Sequence, residues 1–102
     1  MSIMMGLRVS VEPARFEQVV NSNSERLKQI AERAKQLGAL HHRFYANEAG
    51  GEILVVDEWE SADGCREFFS SSPDIEEMMG EAGVTSRPEP VFWRELNSPD
   101  KF

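Results

Sequence analysis

The chain has one cysteine, Cys65, so no intrachain disulfide can staple it, and the Cys and His spacings of a zinc site are missing. Basic residues are scarce, with 11 Lys and Arg against 18 Asp and Glu for a net charge of −7. Non-specific nucleic-acid binding and attraction to anionic bilayers both require Lys and Arg, so neither nucleic acid nor a membrane is an expected partner. The acidic excess reads as a solubility device. No apolar run approaches ~18 residues, which excludes a membrane span. The opening MSIMMGLRV is too short, and lacks the basic start, for a signal peptide. A cytoplasmic location is expected. Repeats, low-complexity tracts and linkers are absent, and 102 residues suit one domain. Phosphate loops, dinucleotide fingerprints and the setting of a Ser-His-Asp triad are missing too, and no cofactor or metal is expected.

What is present is periodicity. Over residues 3–11, Ile3, Met5, Leu7, Val9 and Val11 alternate with Met4, Gly6, Arg8 and Ser10, the two-residue period of a strand. Pro13 suits a first helical turn. From there Phe16, Val20, Asn23, Leu27, Ile30, Ala34 and Leu37 recur at three- and four-residue steps, an apolar face with Asn23 as its single polar gap and Gly38 as the stop. One continuous helix is expected, although Asn21-Ser22-Asn23-Ser24 has poor propensity and Ser22 with Glu25 resembles a capping box, so a bend there is the alternative. Residues 40–47 form a second strand, 48–51 a hairpin loop and 52–59 a third strand. Ser61 caps a helix carrying Cys65, Phe68 and Phe69, and Ser72-Pro73-Asp74 restarts it for Ile75, Met78 and Met79. Residues 88–96 make a last strand, with Pro88 and Pro90 favouring a sheet edge. The domain is expected over 1–96, with 97–102 as a tail.

The order strand, helix, strand, strand, helix, strand is that of an α+β ferredoxin-like plait, with both helical regions on one face of an antiparallel sheet. On the other face we expect Met4, Gly6 and Arg8; His41, Arg43 and Tyr45; Val55, Asp57 and Trp59; and Val91 and Trp93. A bare face that apolar calls for a cover, and a second copy of the chain is the simplest one.

Three segments carry a family likeness: L-G-A-L-H-H-R-F-Y at 37–45, L-V-V-D-E-W-E-S-A-D-G at 54–64, and S-S-P-D-I-E-E-M at 71–78. With the element order, they make the chain resemble the antibiotic biosynthesis monooxygenase-like group of dimeric α+β barrels. The resemblance implies a homodimer whose two sheets face each other and enclose a ligand cavity per subunit. There are departures. Where that group often carries a His about nine residues past the Trp, this chain has Phe68 or Phe69. Where its heme-degrading branch has Asn, Trp and His, this chain has Met5 or Gly6, Phe68 and Met78. Heme degradation is therefore not expected, and the His-dependent roles do not carry over.

Two histidines remain. His42 is expected beneath the helices as a core or rim residue. His41 is expected to face the cavity. A five-residue hairpin loop sets His41 opposite Asp57, and a register two residues different sets Arg43 there. A carboxylate beside an imidazole holds one tautomer, which suits a general base; the alternative is a structural ion pair. Trp59 and Trp93 either stack an aromatic ligand or pack a dimer interface. Arg8, Arg43 and Tyr45 either stabilise a substrate anion or, for the two arginines, neutralise Asp57 and Glu58. The leading expectation is a cofactor-independent monooxygenase acting on a small aromatic or polyketide-like substrate, with His41 as base and Asp57 orienting it. A non-catalytic ligand-binding barrel and an isomerase or lyase of the same fold are the alternatives.

Overall fold

The computed structural model describes residues 1–102. Its elements are β1 (Ile3–Ser10), α1 (Pro13–Ser22), α2 (Ser24–Gln36), β2 (Ala39–Ala46), β3 (Glu52–Trp59), α3 (Ala62–Ser70), α4 (Pro73–Glu81) and β4 (Val91–Trp93). The four strands form one sheet in the order β2-β3-β1-β4, and each neighbouring pair is antiparallel. This is the α+β ferredoxin-like plait expected from the element order, with β2 and β4 at the edges.

The core lies between the sheet and the helices. β1 contributes Met5, Leu7 and Val9, β3 contributes Ile53, Val55 and Trp59, and the helices add Phe16, Ile30, Cys65, Phe68 and Met78. Burial alternates strictly along β3, with Ile53, Val55, Asp57 and Trp59 under the helices. Removing these apolar side chains from water is the main stabilising term of the fold.

The first helical region is two helices rather than one. Asn23 breaks it with φ −116° and ψ 35°, and its side-chain amide donates to the Val19 carbonyl at 2.7 Å. Ser22 donates to the Gln18 carbonyl at 2.8 Å. Short polar side chains that compete for backbone groups bend a helix in this way. The Ser22–Glu25 capping box does not form; Asn23 takes the cap position of α2, and its side chain makes no capping bond to that helix.

Ser61 does cap α3, accepting from the Gly64 amide at 3.2 Å. Gly64 also packs tightly on the end of α2: a Cβ there would sit 2.2 Å from the Leu37 carbonyl oxygen. Only glycine permits that approach. At the other end of the chain, β4 spans three residues instead of the expected 88–96. Pro88 and Pro90 have no N–H to give a ladder, which delays pairing until Val91. Beyond Trp93 the chain forms no further helix or strand.

Candidate active site

The hairpin decides which histidine meets the carboxylate. Asn47 donates its amide to the Glu52 carbonyl at 3.0 Å, closing a four-residue loop over 48–51. Gly50 and Gly51 both take positive φ, 85° and 82°, a conformation that glycine adopts without strain. From this closure the register runs without a break through Ala46↔Ile53 and Phe44↔Val55 to His42↔Asp57 and His41↔Glu58. A loop of even length moves the pairing by one residue from the five-residue expectation, and one residue exchanges the two faces of a strand. Counting outward from the bonded pair Asn47–Glu52, His42–Asp57 is a non-bonded pair, the kind whose side chains approach most closely.

Asp57 is 5 % exposed and lies on the helix side of β3. One carboxylate oxygen, Oδ1, is 2.6 Å from His42 Nδ1. The other, Oδ2, accepts from the Trp59 indole at 3.2 Å. An ionised carboxylate only accepts hydrogen bonds, so Nδ1 carries the proton of the neutral ring and Nε2 keeps its lone pair. The ring stands edge-on to Phe44, with centroids 4.6 Å apart and planes at 83°. Phe44 in turn meets Phe16 edge-on at 5.1 Å. Trp59 thus fixes Asp57, Asp57 fixes the tautomer of His42, and Phe44 limits the ring's rotation.

This chain of contacts opens onto a cavity of about 600 Å³ between the sheet and the helices, within the usual range for a small-molecule site. Its sheet wall includes Leu7, Val55, Asp57 and Trp59, and α2 contributes Leu27, Ile30, Ala31 and Ala34. Phe68, Phe69, Met78 and Met79 close it from α3 and α4. On the edge strand, His42 and Phe44 stay partly exposed.

Cys65 is fully enclosed beneath the sheet. Burial, reinforced by the Asp57 charge, pushes its thiol up to about 12. It stays protonated near neutral pH and is no nucleophile.

The sequence-expected site therefore divides. Asp57, Trp59, Arg43 and His41 border this cavity. His41, however, lies on the opposite side of the sheet from Asp57; its Nε2 is 3.8 Å from Glu58 Oε1. Val55, Asp57 and Trp59, expected on the bare face, are beneath the helices, and Leu54, Val56 and Glu58 take their places. Arg8 is on the bare face in a forked pair with Glu52, at 3.0 and 3.2 Å. That pairing raises the Arg8 guanidinium and lowers the Glu52 carboxyl, chiefly through their hydrogen bonds. Tyr45 and Trp93 are on the same face, 53 % and 60 % exposed, with the Trp93 indole over Gly6. Neither arginine touches Asp57 or Glu58: Arg43 bonds the His42 carbonyl at 2.9 Å. Sequence reasoning passed over His42 as a site residue, and its partnership with Asp57 was readable only from the parity of the loop.

The sequence matches no established family profile and no curated protein. Its fold is shared with solved structures. A monooxygenase from the gene ActVA-Orf6 of Streptomyces coelicolor, in complex with nanaomycin D, superposes with a TM-score of 0.70 at 19% identity, over 95% of this chain and 89% of that one. SnoaB, a cofactor-independent oxygenase from Streptomyces nogalater, gives 0.65 at 15% identity over 98% of both chains. A dimeric ferredoxin-like protein from an uncultured marine organism gives 0.67 at 14% identity, over 99% of this chain and 93% of that one. At these identities the likeness establishes the fold: the chain has the ferredoxin-like architecture of the antibiotic biosynthesis monooxygenase structures.

Proposed function

We propose that the protein is a cofactor-independent monooxygenase of the antibiotic biosynthesis monooxygenase-like group, acting on a small aromatic or polyketide-like phenol, with His42 rather than His41 as its base. The observation that carries this reading is the Trp59–Asp57–His42 hydrogen-bonded chain, whose imidazole borders an apolar cavity. The fold it shares with two named oxygenases supports it.

In the reaction, Nε2 takes the phenolic proton, and the resulting anion has the electron density to reduce oxygen. A ring carbon bonds to O₂ and becomes a hydroperoxide. Loss of water, with the ring C–H proton, leaves a second carbonyl. The sum is phenol plus O₂ giving quinone plus water, with the substrate as reductant and one oxygen atom in each product. The apolar walls reduce the water around the anion, so less of its charge is quenched by solvation.

The test is oxygen uptake with a panel of naphthols and anthrones. Native protein should consume oxygen, and His42→Ala should lower the rate by about 10²–10⁴-fold, the usual contribution of a positioned base. His41→Ala should retain it. Full activity in His42→Ala removes this base from the mechanism; binding without uptake by the native protein points to a non-catalytic binder.

The bare face supports a homodimer. Met4, Leu54, Tyr45, Val91 and Trp93 are exposed there, an apolar patch of the kind that pairs with its own copy. Sedimentation should give twice the mass of the chain. Leu54→Glu, at the centre of that face, should give a folded monomer; a native monomer would refute the pairing.

A further inference from the structure

The cavity mouth has a charge pattern opposite to that of the whole protein. The chain carries −7 overall, yet the charged residues around the cavity include Lys28 and Lys35 of α2 and Arg43 of β2, and Asp57 is its sole acid. Asp57 is already engaged by His42 and Trp59, so no carboxylate at the site is left to neutralise these cations.

Each of the three has only a weak or partial engagement elsewhere. Lys28 meets Glu25 and Lys35 meets Glu32, each at 3.3 Å between exposed partners; such pairs contribute little and exchange readily. Arg43 spends one donor on the His42 carbonyl. That contact folds its side chain around the outer edge of β2 and leaves most of its five N–H groups available. Lys28 and Lys35 are seven residues apart on one face of α2, a spacing that stacks them two turns apart along the same stripe. Edge strand and helix thus bring positive groups to one opening, while Leu27, Ile30, Phe68 and Met79 make its interior apolar.

We infer that the molecule received here is an aromatic acid: a fused-ring body in the apolar cavity and a carboxylate at the mouth, held by Arg43, Lys28 and Lys35. This rests on the proposed aromatic phenol and adds a charged group remote from the reacting hydroxyl. A carboxylate fixed at the opening would orient the rings with the phenol toward His42, because the two ends of the site differ in charge. Guanidinium is the stronger anchor of the three, since its fork matches a carboxylate in two-point geometry.

The measurement is calorimetric titration of the native protein with 6-hydroxy-2-naphthoate, whose hydroxyl and carboxylate lie at opposite ends of the fused rings, and with its uncharged analogue, 6-hydroxy-2-naphthamide. The acid should bind at least about tenfold tighter at low salt, and the advantage should shrink as salt rises. In Arg43→Gln/Lys28→Gln/Lys35→Gln, three exposed positions, the acid-to-amide ratio should fall to within about twofold. Equal affinities in the native protein, or a ratio that survives in the triple variant, would overturn the anion anchor while leaving the aromatic site in place. Failure of both compounds to bind would overturn the anchor and the aromatic reading together.

Discussion

Asp57→Asn is expected to fold, bind ligand and lose about 10²–10⁴-fold in turnover, a larger effect than its single-atom change suggests. The reason lies in Trp59. The buried indole N–H donates to Asp57 Oδ2 at 3.2 Å, and every buried side-chain polar atom of the protein has a partner. An asparagine has one oxygen to offer, and the indole, which can only donate, claims it. Leaving a buried donor unpaired costs about 1–3 kcal/mol, enough to decide the amide's orientation. The amide NH₂ is then turned to His42 Nδ1, which must accept. The ring proton moves to Nε2, and the lone pair that takes the substrate proton is gone. Oxygen uptake gives the rate, and long-range ¹H–¹⁵N spectra of His42 give the tautomer. A variant with wild-type uptake, or with Nδ1 still protonated, would refute this role of Asp57.

Trp59→Ala should produce the largest loss of stability. Trp59 is 1 % exposed and packs against Phe68, with centroids 5.5 Å apart. Truncating a buried Trp to Ala costs about 3–5 kcal/mol. Native domains have only about 5–15 kcal/mol to lose. At about 4 °C or more per kcal/mol for a chain of this size, the melting temperature should fall by roughly 12 °C or more. Thermal and urea unfolding measure it. Trp59→Phe separates the two parts of the effect, since it restores most of the ring but not the donor to Asp57. A Trp59→Ala protein within about 1 kcal/mol of native would show that this residue is not a pillar of the core.

The element order and the apolar face of β1 were legible because alternation over eight residues is an unambiguous signal. Asp57 and Trp59 stood out as a pair and do lie together. Their side of the sheet was not legible. β3 reads Ile-Leu-Val-Val on entry, an apolar run with no contrast between odd and even positions. The only arbiter was the count of residues in a glycine-containing loop. The register shift between Ala39 and His41 added a second irregularity, leaving Leu40 unpaired at the start of β2. The cavity was misplaced for the same reason: with Asp57 and Trp59 assigned to the bare face, Arg8, Tyr45 and Trp93 seemed to share their space. The break at Asn23 was visible in composition, but continuous periodicity on either side argued for one helix.

The bond from Arg43 to the His42 carbonyl also bears on how copies of this chain associate. β2 is an outer strand, and the alternation of its ladder turns the His42 carbonyl outward, where an incoming strand of another molecule would seek it. The guanidinium occupies that acceptor and places a permanent positive charge on the rim. Ribbon-like growth through β2, one route to aggregates, is blocked at its midpoint, which favours stacking through the broad side of the sheet over pairing along this rim.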